Sequence, residues 1–207
     1  MQHEITFFVV EDHTLTNRGI RQLLLERTGF TCIGYAHSKK ETLEKFSELF
    51  ESGTLPDILT LDLVLGDESG IDVLREVKLN YPSVKVVAYS MYSKPGIVSL
   101  AIENGADGFV LKSAPESELF TAIGKILNGE SYVQPNLISP LLTYKTVFDG
   151  LTKQEQTIFK KIIERKSKQQ IAKELNIVNR SLDNYLSRIY MKTGCKNHEE
   201  LIKKFGE

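Results

Sequence analysis

Cysteine is scarce in this chain: Cys32 and Cys195 are the only two in 207 residues. Their separation argues against a disulfide framework or a cysteine-based zinc site, and both read as small buried hydrophobes in a reducing compartment. Long apolar runs are also missing. No stretch approaches the roughly 18 residues needed to cross a bilayer, so no membrane is expected among the partners. The opening residues Met1-Gln2-His3-Glu4 lack the positive region and apolar core of a secretory leader, and a cytoplasmic location is the expectation. Internal repeats and low-complexity segments are absent as well. Net charge is nearly absent, at −1 overall, yet this small total hides an uneven distribution. Residues 1–146 hold 13 Lys+Arg against 19 Asp+Glu, a balance of −6, whereas residues 147–207 hold 13 against 8, a balance of +5. A basic terminal segment beside an acidic one points to a polyanion as partner of the former, nucleic acid before an anionic surface.

What is present in the first half is alternation of short apolar runs with amphipathic segments, the pattern of βα units around a parallel sheet buried on both faces. Strands are predicted near 5–10, 31–36, 58–61, 84–89 and 108–111, and helices near 15–27, 39–52, 70–80, 96–104 and 116–128. Pro56, Pro82 and Pro95 mark element limits, and Gly29, Gly53, Gly105 and Gly129 sit where helices should stop. Between 130 and 149 the pattern weakens around Pro135 and Pro140, and a short helix within a partly helical linker is expected. From 150 onward everything reads as helical. Thr152 with Glu155 forms a capping box, Ser167 caps a short helix, and Leu182, Tyr185, Leu186 and Ile189 share one face of a longer helix beginning near Asn179.

Chemistry concentrates at the predicted strand ends. Glu11 and Asp12 follow the run Ile5–Val10, and Asp62 follows Ile58–Leu61. In neighbouring parallel strands, three carboxylates would meet at the carboxyl edge, where open α/β sheets place their sites. Two like charges at about 4 Å repel by about 4 kcal/mol at an effective dielectric near 20, so a cation is needed among them. Hard oxygen ligands suit Mg²⁺ together with a phosphoryl oxygen. Taken alone, Glu11 and Asp12 could equally cap the helix starting near Leu15, and His13 reads as a hydrogen-bonded loop residue. Ser90 and Lys112 end the fourth and fifth predicted strands at the same edge.

With Glu11-Asp12, Asp62, Ser90, Phe109 and Lys112 in order, and Gly105-Ala106-Asp107-Gly108 leading into the fifth strand, residues 4–129 resemble the receiver domain of two-component response regulators. The resemblance implies a flavodoxin-like (βα)5 doubly wound parallel sheet as a domain over 1–129. It further implies Asp62 as phosphoacceptor, Mg²⁺ held by Glu11, Asp12, Asp62 and the Val64 backbone carbonyl, and Ser90 and Lys112 contacting the phosphoryl group. Phe109, or Tyr89 or Tyr92, would repack as Ser90 moves. Met91 stands where such receivers often carry a small residue, and a slow-turnover site is the expectation.

Residues 150–207 resemble the LuxR-type helix-turn-helix domain of the NarL/FixJ family through Leu151-Thr152, Glu155, Ile171-Ala172, Leu175, Ile177, Ser181, Leu182, Leu186, Ile189, Lys192 and Gly194. This implies a small all-α domain whose helix near 179–193 enters the major groove, with Arg180, Asp183, Asn184, Ser187, Arg188 and Lys192 facing double-stranded DNA. Four positions depart from the family pattern: Asp183 for Lys, Gln154 for Arg, Arg165 for Gly and Tyr185 for His. Together the halves imply a transcriptional regulator phosphorylated by a sensor histidine kinase or a small phosphodonor, forming a homodimer on activation. It would have no enzymatic activity beyond autophosphorylation and self-dephosphorylation at Asp62. Two other functions fit parts of the pattern. One is a phosphorylated signalling adaptor whose helix-turn-helix binds protein. The other is a metal-dependent phosphatase, disfavoured because Asp62-Leu63-Val64 lacks a second acid two residues on.

Overall fold

The computed structural model describes residues 4–206; Met1-Gln2-His3, on which the expected absence of a secretory leader rests, lie outside the described residues. The chain divides into two compact units. One comprises the residues up to Met91 with Ala101–Gln134, and the other comprises Tyr92–Leu100 and the residues from Pro135 onward.

Strands β1 (Ile5–Val10), β2 (Phe30–Ala36) and β3 (Ile58–Leu61) are followed by a small hairpin of β4 (Val64–Leu65) and β5 (Glu68–Ser69). Then come β6 (Lys85–Ser90), β7 (Gly108–Leu111) and β8 (Tyr132–Val133). The main sheet has the order β2-β1-β3-β6-β7-β8 with every pairing parallel. The order reverses at β1, whose neighbours β2 and β3 lie on opposite sides. That reversal opens a crevice beyond the carboxyl ends of β1 and β3. Helices α1 (Thr14–Leu25), α2 (Lys39–Glu51), α3 (Gly70–Asn80), α4 (Pro95–Glu103) and α5 (Glu116–Leu127) supply the crossovers.

Side chains alternate between the two faces of each strand, and the core divides accordingly. Phe7, Val9, Ile58, Val87, Tyr89 and Val110 pack with Ile20 and Leu24 of α1 and Leu119, Ile123 and Ile126 of α5. The alternate residues Phe8, Val10, Leu59, Leu61, Ala88, Ser90 and Phe109 take the opposite face, where Phe8 meets Phe46 of α2 edge-on at 5.1 Å.

Three features go beyond the sequence expectation, the β4–β5 hairpin being one. Strand β8 extends the sheet past the fifth strand, pairing Tyr132 with Gly108 and Val133 with Phe109. The short helix expected in the linker is a 15-residue helix, α6 (Pro135–Asp149), which continues through Pro140. Pro135 opens it, where a missing N–H costs no bond. Pro140 lies early enough that its own missing donor deprives only the helix's first turn. Tyr144 and Phe148 of α6 pack on Phe159, at 5.8 and 6.0 Å between ring centroids.

The remaining helices are α7 (Lys153–Ile163), α8 (Lys168–Glu174), α9 (Asn179–Thr193) and α10 (His198–Phe205). Ile158, Phe159, Ile162, Ile171, Leu182, Leu186, Ile189 and Leu201 form their shared core. Thr152 and Glu155 close the predicted capping box on α7, and Ser167 with Gln170 makes a second on α8. Helix α7 ends in a Schellman turn: the Lys166 N–H donates to the Lys161 carbonyl and the Arg165 N–H to the Ile162 carbonyl. That turn demands a left-handed residue, and Arg165 supplies it at φ 59°. A side chain in this conformation costs roughly 1–2 kcal/mol, most of which glycine avoids despite its looser unfolded state. Arg165→Gly is therefore expected to raise unfolding stability by about 0.5–1 kcal/mol in urea titrations.

Glu155 is buried and accepts from the Thr152 N–H at 2.8 Å and from Lys192 Nζ at 2.6 Å. Burial pushes its carboxyl upward, but the Lys192 and Thr152 hydrogen bonds outweigh it and hold the group below the usual carboxylate range. A depressed folded-state value adds stability above the unfolded value and loses it as pH falls through the folded one. Glu155→Gln, which keeps the cap acceptor and removes the charge, should lower stability by about 1 kcal/mol at neutral pH. That deficit should vanish in acid, as thermal melts across pH will show.

Candidate functional site

The two strands that end in acids are direct neighbours. Val10 lies opposite Leu61 in the β1–β3 register, and the Asp62 N–H donates to the Val10 carbonyl at 2.9 Å. Glu11, Asp12 and Asp62 thus stand together at the predicted edge. Asp12 does not cap α1; the N-cap is His13, with no side-chain cap hydrogen bond. Instead Asp12 Oδ2 accepts from the Gly66 N–H at 3.0 Å, tying the β1 loop to the β4–β5 hairpin.

Lys112 closes the site. Its Nζ donates to Glu11 Oε2 and to Asp62 Oδ2, each at 2.5 Å. Its side chain is 11% exposed, against 1% for Glu11 and 9% for Asp62. Burial raises the Glu11 carboxyl above its ordinary value, partly offset by Lys112. Burial alone would lower the Lys112 ammonium, but the hydrogen bonds it donates to Asp62 and Glu11 outweigh burial and raise it. Both groups thus move upward: Lys112 because its two carboxylate partners outweigh burial, and Glu11 because it is the more completely enclosed partner and shares its one ammonium with Asp62.

Ser90 is fully buried at the end of β6, and its carbonyl accepts from the Lys112 N–H at 2.9 Å. Phe109 is buried on the same sheet face as Ser90, while Tyr89 points into the core under α1 and α5. Of the aromatic candidates on β6 and β7, Phe109 is therefore the one that shares Ser90's side of the sheet. Met91 follows Ser90 and is 66% exposed. Val64 lies two residues past Asp62, and its N–H reaches Asp62 Oδ1 at 3.3 Å.

Three contributors escaped the sequence reading. Asn17 is fully buried and donates to the carbonyls of Glu11 and Ala36, at 3.2 and 3.3 Å. His37 Nδ1 lies 2.8 Å from that same Glu11 carbonyl, so the β1 loop is clamped from two sides. Polar residues inside predicted helices and loops carry no pattern that reveals such reach. Gly70 is the third. A Cβ there would lie 2.1 Å from the Asp62 carbonyl oxygen, so only glycine lets α3 start this close to the acid.

The donor set fits a hard divalent cation. Three carboxylates face one ammonium, a surplus of two negative charges, and all the acidic donors are oxygens. Among the described residues, Glu11, Asp12 and His13 offer ligand atoms within 4.8 Å of one another. His13, read from sequence as a loop residue, bonds Asp12 Oδ1 at 3.0 Å and is largely exposed.

In the helical unit, α8 and α9 form the helix-turn-helix. Leu182, Leu186 and Ile189 are buried and Tyr185 is half-buried, while Arg180, Asp183, Asn184, Ser187 and Arg188 are exposed along the opposite side of α9. Asp183 is paired with Lys168 of α8 at 3.2 Å, and the Ser187 hydroxyl donates to the Asp183 carbonyl. Lys192 stands apart from the rest of the expected DNA-facing set. Its ammonium is committed to Glu155 and lies 3.4 Å from the Gly150 carbonyl, because α9 packs its last turn against the start of α7. Among the described residues no helix is long and apolar enough to cross a membrane.

Residues 7–124 match the response regulator receiver domain, and residues 149–205 match the bacterial regulatory proteins of the luxR family. Response regulator protein VraR of Staphylococcus saprophyticus is 26% identical over 202 residues, covering 96% of this chain and 94% of that protein. Transcriptional regulatory protein DesR of Bacillus subtilis is 26% identical over 203 residues, covering 98% and 97%. The structure of RcsB from Salmonella enterica serovar Typhimurium bound to promoter rprA superimposes with a TM-score of 0.73 at 20% identity, over 99% of this chain and 100% of that one. The acidic edge closed by Lys112 and the exposed face of α9 thus sit inside the two matched segments, and the chain belongs to the two-component response regulators of the NarL/FixJ type, a receiver domain followed by a LuxR-type helix-turn-helix domain.

Proposed function

We propose that this chain is a cytoplasmic transcriptional regulator switched by Mg²⁺-dependent phosphorylation of Asp62. The observation that carries the reading is the Lys112 ammonium held between Glu11 and Asp62, from 101 and 50 residues away in sequence. An Asp62 carboxylate oxygen attacks the donor's phosphorus. The new O–P bond forms as the bond from phosphorus to the donor's leaving group breaks, and that group departs with the electron pair. The donor is a phosphohistidine of a sensor kinase or a small acyl phosphate. Mg²⁺, held by Glu11, Asp12, Asp62 and the Val64 carbonyl, would neutralise the charge on the transferring oxygens. Lys112 exchanges a carboxylate oxygen for a phosphoryl oxygen, and the Ser90 hydroxyl donates to another. Phe109, on Ser90's side of the sheet, repacks as Ser90 moves, a local charge event read out by a bistable element. Attack of water on the same phosphorus forms a new O–P bond as the Asp62 O–P bond breaks, releasing inorganic phosphate and returning Asp62 to its free carboxylate.

On the output side, the exposed polar face of α9 is suited to duplex DNA, with Arg180 and Arg188 on phosphates and Asn184 on a base edge. The similarity to DesR, named as a transcriptional regulator, supports this half. Two copies on paired half-sites complete the reading. One observation favours the adaptor alternative: the Asp183–Lys168 pair neutralises a cation on the DNA-facing side. Binding to genomic fragments across salt concentrations, with and without acyl phosphate and Mg²⁺, separates the two. A salt-dependent preference that changes with the donor supports the regulator, and no preference in either state leaves the adaptor. Asp183→Asn releases Lys168 and should steepen the slope of log K against log salt by about 1.

A further inference from the structure

Strand β8 ends at Val133, one residue before the receiver unit ends at Gln134, and the next residue, Pro135, opens α6 of the other unit. The Gln134 N–H donates to the Phe109 carbonyl at 3.1 Å, as in any parallel ladder. One step further on, its side chain takes over from its backbone: Gln134 Oε1 accepts from the Leu111 N–H at 2.9 Å, because the main chain has turned away into the helix. Both groups are buried. The neighbouring N–H, that of Lys112, is held at 2.9 Å by the Ser90 carbonyl. Consecutive amides of one strand end are therefore fixed from two directions, one by the residue that leads into the output helices and one by a residue of the phosphoryl site.

We propose that Gln134 is a positioning residue that couples the linker to the phosphoryl site. Its side-chain bond to Leu111 stabilises the resting arrangement of Lys112 and Ser90 and weakens when those two turn to a phosphoryl group. The inference rests on the phosphorylation reading above. Coupling is reciprocal: if a phosphoryl group weakens the Gln134 bond, loss of that bond tightens phosphoryl binding by the same factor. Removing the acceptor destabilises the resting state selectively, because the Leu111 N–H loses a partner only there.

The test uses the full chain with fluoroberyllate and Mg²⁺ as the probe. Calorimetry gives affinity, and backbone amide exchange over 130–136 gives the state of the linker. In the parent, the probe should accelerate exchange at Val133 and Gln134. Gln134→Leu and Gln134→Met should bind the probe roughly fivefold more tightly, the low end of common couplings, and should show fast linker exchange without it. Gln134→Glu, which keeps an acceptor oxygen, should behave as the parent. Parent-like affinity in the Leu and Met variants, or linker exchange that ignores the probe in the parent, overturns the coupling and leaves the phosphorylation reading standing. A parent that binds no probe and takes no phosphoryl group from acyl phosphate overturns that reading first.

Discussion

Asp62→Asn is expected to reduce phosphoryl incorporation from acyl phosphate to the level of a donor-free sample, read by intact mass after incubation with Mg²⁺. The amide has nearly the carboxylate's shape, so the β3 end and the Val64 N–H contact at 3.3 Å can persist while the nucleophile is gone. No other acid substitutes easily. Glu11 is enclosed and held by Lys112, and Asp12 spends an oxygen on the Gly66 N–H. Asp67 and Glu68 are exposed on the hairpin. Persisting incorporation in the Asn variant, located to another carboxylate by peptide mapping, would remove Asp62 from its assigned role.

The second large effect concerns stability. Lys112→Met replaces the ammonium by an apolar chain of similar length and leaves Glu11 and Asp62 facing each other with no cation between them. Removing one partner of a buried pair typically costs about 3–5 kcal/mol. Two dependences identify the cause. The Glu11 carboxyl is already raised by burial. An acid raised in the folded state favours folding below its unfolded value and loses that contribution as pH rises through the folded one. The variant's deficit should therefore be largest at neutral pH and shrink in acid, where Glu11 takes a proton. Mg²⁺ should also stabilise the variant more than the parent, since a ligand of the native state adds RT ln(1 + [L]/Kd) and the variant's site is the more negative. A deficit independent of both pH and Mg²⁺ would mean that Lys112 acts through packing alone.

Most of the sheet was legible because a parallel strand buried on both faces must be a short apolar run. Such runs, at 5–10, 58–61 and 108–111, have no competing reading. The acids were legible for a related reason: they stand where each run stops, and a strand end in this fold is a fixed place. Elements of two residues were not legible. Tyr132–Val133 is too short to show a period, so neither β8 nor the bond from the Leu111 N–H to the Gln134 side chain is legible. The β4–β5 hairpin did leave a signal, Gly66-Asp67 between its strands, a pair typical of two-residue turns. Pro140 misled because proline is read as a helix breaker, whereas early in a helix it removes only one bond. A basic residue on a recognition helix is normally free to face DNA, and the sequence expectation for Lys192 rests on that. The sequence carries no mark that Glu155, 37 residues upstream, claims its ammonium. Its capping box was visible; its second partner was not.

The 101-residue gap between Glu11 and Lys112 also has a meaning in time. At about 5–20 residues per second, a ribosome that has finished the acidic pair needs roughly 5 to 20 s more before the lysine exists. Asp62 is made in between, so the nascent chain holds the full negative charge of the site well before its internal counterion. Closure of β1 on β3 in that interval brings Glu11 and Asp62 together before Lys112 exists, which like-charge repulsion opposes, and the residue after β7 relieves that repulsion before β8 completes the sheet. The residue just after β7 thus supplies, from within the chain, the cation that the pairing of β1 with β3 calls for.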